Sequence, residues 1–163
     1  MKYKLRPWSR NDINNAFNNA NCDDIYKFMS DGFPNSLDKW SSFIDFSLQE
    51  KTILYFAIDV NGQAVGGVGV TLQNGIMRNN AELGYWLGKD YWGQGIMTNV
   101  IRDIVRLAFD KFEINRIYAK PFETNIASQR VLQKAGFVLE ARFKKTIIKN
   151  GDLLDELIFA IRR

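Results

Sequence analysis

A mixed α+β sandwich is the fold class the sequence predicts: a mostly antiparallel sheet containing one parallel pair of strands joined by a helix. Three observations predict it. Asn61-Gly62 and Asn150-Gly151 each stand between two β-rich runs, and Asn-Gly is the strongest short-range hairpin signal. Between strands at 81–87 and 116–120 lies 96–110, where Ile96, Val100, Ile101, Ile104, Val105 and Ala108 recur at helical spacing. A strand, a long helix and a second strand form a crossover, which sets the two strands parallel.

The elements follow in order. Lys4-Leu5-Arg6-Pro7-Trp8 reads as a short first strand. Ser9, with Asp12 three residues on, is an N-cap for a helix over 10–20. A second helix is expected over 23–30. Pro34 and Ser36 announce a third over 37–49, where Leu37, Trp40, Phe43, Ile44 and Leu48 share a face. Phe28, Phe33, Trp40, Phe43 and Phe46 are expected mostly in the core. Strands at 53–60 and 63–73 flank the first hairpin turn, and Asn79-Asn80 precedes the strand at 81–87. A glycine-punctuated loop fills 88–95. Pro121 ends the strand at 116–120, and Thr124 or Asn125 caps a helix running to about Ala135, with Gly136 at its C′ position. Strands at 137–148 and 153–161 close the chain as a hairpin.

The 163 residues fit one domain at about 100–200 residues per domain, and no Pro-, Gly- or Ser-rich linker divides them. Apolar residues at 46% and charged residues at 25% rule out a disordered chain. Cys22 is the only cysteine, which excludes an internal disulfide framework and fits a reducing, cytoplasmic compartment. No apolar run approaches the ~18 residues of a membrane span, and the N-terminal stretch lacks the apolar core of a signal peptide. With no histidine, His-based triads, His metal sites and His proton shuttles are excluded, so acid–base chemistry must come from carboxylates, Tyr, Lys, Ser, water or the substrate. The net charge of +4 lies wholly in residues 82–163, with 14 basic and 10 acidic side chains; residues 1–81 hold 8 of each. That bias favours a polyanionic partner such as a phosphorylated cofactor. No dense Lys/Arg run points to nucleic acid, so neither nucleic acid nor membrane is expected as a partner.

Tyr91-Trp92-Gly93-Gln94-Gly95-Ile96-Met97-Thr98 is the most informative stretch. Glycines let the backbone fold tightly, so several N–H groups can converge on an anion at the positive end of the following helix. A pyrophosphate is the natural occupant; a glycine-rich connection with no ligand is the other reading. A Walker A loop needs Lys-Ser or Lys-Thr after its last glycine, and Ile96-Met97 stands there. A dinucleotide fingerprint needs a third glycine where Thr98 stands, and the antiparallel surroundings argue against that fold.

Glu82-Leu83-Gly84-Tyr85-Trp86-Leu87 followed by this loop resembles motif A of the GNAT acetyltransferase superfamily. Asn125-Ile126-Ala127-Ser128, then Val131-Leu132-Gln133-Lys134-Ala135-Gly136-Phe137, is similar to a segment of its RimJ/RimL-type branch, the ribosomal-protein N-terminal acetyltransferases. Leu5-Arg6-Pro7-Trp8 and Asn150-Gly151 with Asp155 extend the likeness over nearly the whole chain. Trp92 and Met97 depart from the general motif at its first and last positions, and Asn99 stands where this branch often has Glu.

The resemblance implies one GNAT domain over 1–163, with about seven strands, a splayed parallel pair, and helices on both faces. It implies acetyl-CoA, no metal, and a monomer or homodimer. The pantetheine would pair with strand backbone at Trp86 and Leu87. The pyrophosphate would sit on Trp92, Gly93, Gln94, Gly95, Met97 and Thr98, mostly through backbone N–H. Asn125 either donates to the acyl or pantetheine oxygens or only caps its helix. Ser128 either points at the cofactor sulfur or is an ordinary solvated Ser. Transfer to an amine needs a neutral amine, a polarised thioester and a proton for the thiolate. Glu82 is the candidate base, sharing a strand face with Gly84 and Trp86. Ser128 or Tyr118 is the candidate acid, although Tyr118 also reads as packing. With no cysteine near the loop, direct transfer is expected rather than an acyl-enzyme. The acceptor expected is a protein N-terminal α-amine. The alternatives are a small amine (polyamine or antibiotic) and a non-catalytic acetyl-CoA sensor.

Overall fold

The structure, a computed structural model, describes residues 2–50 and 53–163; of the expected unit, Met1, Lys51 and Thr52 lie outside the described residues. Seven strands form one sheet: β1 (Lys4–Pro7), β2 (Ile53–Val60), β3 (Gln63–Leu72), β4 (Asn80–Leu87), β5 (Arg116–Ala119), β6 (Val138–Lys149) and β7 (Asp152–Arg162). Their order in space is β1-β2-β3-β4-β5-β7-β6. Every neighbouring pair is antiparallel except β4 and β5. Asn61-Gly62 and Asn150-Gly151 make the two hairpin turns, all four residues at positive φ.

Among the described residues five α-helices cover the sheet: α1 (Ile13–Ala20), α2 (Asp23–Tyr26), α3 (Leu37–Gln49), α4 (Ile96–Lys111) and α5 (Ile126–Lys134). The apolar stripe of α4, with Leu132 of α5, packs on Leu54, Ile58, Val68, Val70, Leu83 and Ile117 of one sheet face. On the other face Ala16 and Ala20 of α1 and Trp40 and Ile44 of α3 close over Trp8, Ala57, Ala64 and Trp86. Ser9 caps as expected and closes a capping box with Asp12, but on a 3-10 turn (Arg10–Asp12) that leads into α1. Asn125 caps α5, and Gly136 follows at φ +99°.

The helix expected over 23–30 stops at Tyr26. Beyond Lys27 the backbone bonds tighten to Phe28 N–H on Ile25 and Met29 N–H on Tyr26, a three-residue spacing. That turn carries Phe28 out of the aromatic core and into the walls of the site described below. Phe33, Trp40 and Phe43 do lie in the core, whereas Phe46 is half exposed.

Gly67 is closely packed on the α1/α3 face. A Cβ there would stand 2.7 Å from the Trp86 indole nitrogen and 2.9 Å from the Trp8 ring. Both rings are fixed by neighbours, Trp86 by Trp40 at 5.3 Å and Phe33 at 5.9 Å between centroids. Gly67→Ala should therefore cost about 2 kcal/mol by overpacking, read as a lower urea midpoint at unchanged slope.

Candidate active site

The site starts where the parallel pair comes apart. β4 and β5 pair at Asn80–Arg116, Ala81–Ile117 and Glu82–Tyr118 and nowhere further. β5 ends at Ala119, and Pro121, with no N–H to give, cannot extend the ladder. Residues 83–87 of β4 run on with β3 on one side and no β5 partner on the other. The Leu87 carbonyl accepts the Trp92 indole N–H at 2.7 Å, so it points to that open side. By the two-residue alternation of a strand, the Tyr85 backbone N–H and C=O lie along the same edge.

A 3-10 turn (Lys89–Tyr91) leads from β4 into the glycine loop. Gly93 and Gly95 sit at φ +74° and +75°, and a Cβ on either would meet no protein atom within 4 Å. Glycine is thus required there by backbone conformation, and the space beside it is free for an anion. The loop, the open edge of β4, the start of α5 and the Phe28–Met29 turn enclose a cavity of about 290 Å³. Trp86, Leu87, Trp92, Gly93, Gly95, Met97 and Thr98 all line it, as do Asn125 and Ser128. Gln94 does not; its side-chain amide donates to the Asp90 carbonyl at 3.1 Å. Trp92 contributes more than backbone, because its indole pins the loop to Leu87. Sequence reasoning missed Arg130 and Lys134, which also line the cavity. Their four-residue spacing on the helix that opens with Asn125 and Ser128 was the available signal.

Asn125 caps α5 through Oδ1, which accepts the Ser128 backbone N–H at 3.0 Å. Its side-chain NH2 has no partner among the described residues, and Asn125 lines the cavity. The Ser128 hydroxyl lies 2.6 Å from the Tyr85 hydroxyl. Burial pushes Tyr85 up to about 12, against a smaller lowering by the Ser128 hydrogen bond. Tyr85 was hidden in the sequence: it alternates with Leu83 and Leu87 and reads as core.

Beyond this hydroxyl pair a second cavity of about 450 Å³ opens toward β7 and β6. Phe28, Met29, Tyr85, Asn125 and Ser128 line both, so the two chambers meet at the hydroxyls. Glu82 lines the second. The Tyr118 hydroxyl donates to its Oε2 at 3.2 Å, and the Lys120 ammonium sits 3.1 Å from its Oε1. Tyr118 is pushed up to about 12 by burial first and the Glu82 charge second. It lines neither cavity, so the structure puts it on Glu82 and not beside Ser128.

The opposite wall comes from β6 and β7 through Ile147, Ile148 and Glu156. The two isoleucines follow a bulge in β6 between Phe143 and Ile147, with Lys145 at φ +56°. Asp155, buried, holds the bulge by accepting the Lys145 N–H at 3.0 Å and the Arg142 Nε at 2.6 Å. The Arg142 guanidinium keeps Asp155 below the usual carboxylate range. Glu123 completes the clamp by accepting the Asp155 N–H at 2.9 Å and pairing with Arg142 at 2.7 Å.

Two chambers meeting at a gap in a sheet, one fronted by a glycine loop on a helix N-terminus, can hold an anionic coenzyme against a second substrate. Comparison with known proteins agrees with that geometry. Residues 2–138 match the model of the acetyltransferase (GNAT) domain. The chain belongs to the GNAT acetyltransferase family.

Within that family, "Probable N-acetyltransferase YjcK" of Bacillus subtilis (strain 168) is 41% identical over 81 residues, 50% of this chain and 45% of that protein. The ribosomal-protein-serine acetyltransferase of Escherichia coli (strain K12) is 30% identical over 84 residues, 52% of this chain and 47% of that protein. The match thus spans less than half the length of either relative. Among solved structures, the microcin C7 self-immunity acetyltransferase MccE, in complex with acetyl-CoA and AMP, has a TM-score of 0.85 at 26% identity, covering 99% of this chain and 93% of that one. The ribosomal L7/L12 α-N-protein acetyltransferase RimL, in complex with CoA, has a TM-score of 0.87 at 20% identity over 99% and 94% of the two chains, a likeness of fold. The RimJ/RimL-type branch is therefore represented among the GNAT relatives and fold neighbours. Among the described residues no group of His, Cys, Asp and Glu is placed to hold a metal ion, and no helix is long and apolar enough to cross a membrane.

Proposed function

We propose that this chain, as one domain over 1–163, moves an acetyl group from acetyl-CoA to a primary amine by direct transfer. The observation that carries this reading is the meeting of the two cavities at the Tyr85–Ser128 hydroxyl pair, 2.6 Å apart, beside the gap between β4 and β5. Acetyl-CoA, when bound, supplies an activated acyl carbon and a thiolate leaving group. The amides of the Gly93–Gly95 loop and the first turn of α4 suit its diphosphate, and Arg130 and Lys134 add positive charge on the facing wall. The free edge of β4 at Tyr85 suits its pantetheine amides. The Asn125 side-chain NH2 can donate to an oxygen in the same channel.

Tyr85 and Ser128 hold a proton where the chambers meet, and a thiolate leaving there can take it. Tyr85 is protonated at neutral pH, and burial, by raising it to about 12, keeps it so well into the alkaline range. Glu82, fixed on the wall of the second chamber by Tyr118 and Lys120, takes the proton lost by the amine, directly or through a water. Tyr118 acts by positioning Glu82. Cys22 lines neither chamber, which supports direct transfer over an acyl-enzyme.

The acceptor we favour is a protein N-terminal α-amine. Its pKa near ~7.7–8.0 leaves roughly a tenth or more of it neutral at pH 7, far more than a lysine amine near ~10.4, so a weak base suffices. RimL and the Escherichia coli relative act on ribosomal proteins by their names, which supports the choice. The lone Cys22 fits a reducing compartment, and we place the reaction in the cytoplasm.

The test is release of free thiol from acetyl-CoA with peptides, polyamines and amino acids as acceptors. Turnover on peptides is expected; tight CoA binding with no turnover on any amine would leave a sensor instead. Glu82→Gln should lower kcat about tenfold and leave CoA affinity within about twofold. An unchanged rate at every pH would remove Glu82 from the reaction.

A further inference from the structure

The second chamber is lined by more charge than the proposed reaction uses. Glu82, Glu156 and Asp31 supply three carboxylates to its wall, and Lys120 and Lys149 two ammonium groups. Two of the carboxylates are matched: Lys120 is 3.1 Å from Glu82, and Lys149 is 3.3 Å from Asp31. Glu156 is not. Its side chain makes no ion pair and no hydrogen bond among the described residues.

Its direction follows from the strand that carries it. Leu157 and Phe159 of β7 are buried in the α4/α5 core, so Glu156, one residue earlier, turns to the opposite face. Glu82 does the same in β4, where Ala81 and Leu83 point into that core. Past the end of β5, Phe122 bridges to Glu156 in the register set by Ala119 and Phe159, which fixes the backbone there. Glu156 is half-buried, and a half-buried carboxylate without a partner is destabilising until a cation reaches it. Phe122, Ile147 and Ile148 beside it give that cation's carbon skeleton an apolar surface.

We propose that Glu156 is the residue that selects the acceptor: its carboxylate receives the ammonium of an incoming primary amine that carries no carboxylate of its own nearby. The proposal rests on the acetyltransferase reading and narrows it. Because both lysines of the wall are already paired, a free α-carboxylate entering with the amine would meet uncompensated negative charge. A peptide N-terminus or an alkylamine is accepted, and a free amino acid is disfavoured.

The experiment measures KM and kcat at saturating acetyl-CoA for peptide amides and for the matching free N-terminal amino acids. Wild type should prefer the peptide amides. Glu156→Gln should raise their KM about tenfold, keep kcat within about threefold, and shrink the preference over the free amino acid by a similar factor. CoA affinity, measured on the same variant, should not change. In wild type alone, KM for the amide should rise with added salt at saturating acetyl-CoA, a readout that requires no variant to fold. A KM within twofold of wild type in Glu156→Gln, a salt-independent KM, or a wild-type preference for the free amino acid would each overturn the proposal while leaving acetyl transfer intact. Absence of thiol release on every amine would overturn the transfer reading itself, and this proposal with it.

Discussion

Gly95→Asp should raise the dissociation constant for CoA about 100-fold or more, a loss of about 2.7 kcal/mol. Two effects add. Gly95 sits at φ +75°, where an L-residue is strained by roughly 1–2 kcal/mol, which loosens the loop. The larger effect is charge. No protein atom lies within 4 Å of the position a Cβ would take, so the new carboxylate would occupy the space assigned to the diphosphate. A pair of unit charges about 4 Å apart near a protein surface repel by about 4 kcal/mol before screening by salt. Gly95→Asn separates the two. Asn has nearly the same shape, tolerates a left-handed backbone and carries no charge, so its CoA affinity should fall less than about tenfold. Isothermal titration of both variants with CoA decides the matter. Equal affinities for Gly95→Asp and wild type would mean that the loop does not cradle the diphosphate.

The features that were legible in the sequence are those that local physics determines. Asn61-Gly62 and Asn150-Gly151 turn where they do because Asn and Gly tolerate positive φ, and no distant residue is involved. The stripe of α4 announces a helix with one buried face, and Gly93 and Gly95 announce left-handed backbone at its entry. Asn125 as the cap of α5 and Ser128 in its first turn are legible because the cap and the turn are adjacent in the chain. The acceptor chamber was not legible in the same way. Glu156 lies in a strand whose alternation marks two faces without saying which one opens on a cavity. Tyr85 has the spacing of a core residue, and only the approach of α5 brings the Ser128 hydroxyl to it. Phe28 left its expected helix because the backbone tightened after Tyr26, a choice that depends on where the turn must pack. The gap between β4 and β5 itself came from resemblance, with Pro121 as its one local cause.

Removing the hydroxyl pair should slow the reaction more than any other change that leaves the fold intact. Tyr85→Phe and Ser128→Ala should each lower kcat about 100-fold, the lower end of the range for a positioned proton donor, with CoA affinity within about threefold. The double variant should be hardly slower than either single one, because a proton relay fails when one member is lost. Ser128→Ala leaves the Asn125 cap in place, since Asn125 bonds the Ser128 backbone N–H and not its hydroxyl. Tyr85→Phe keeps the ring that packs beside the core. Neither variant should unfold, and a thermal melt of each checks that. The pH profile adds an independent constraint. Burial raises Tyr85 to about 12, so it stays the protonated partner through the whole range in which an α-amine is deprotonating. The wild-type rate should therefore climb as the amine loses its proton and then stay level up to about pH 10, with no alkaline decline from the donor. A fall in rate beginning near pH 8 would mean that a group of lower pKa supplies the proton. Single variants that each lose only a few-fold, and a double variant that multiplies those losses, would show two independent packing contributions in place of a relay.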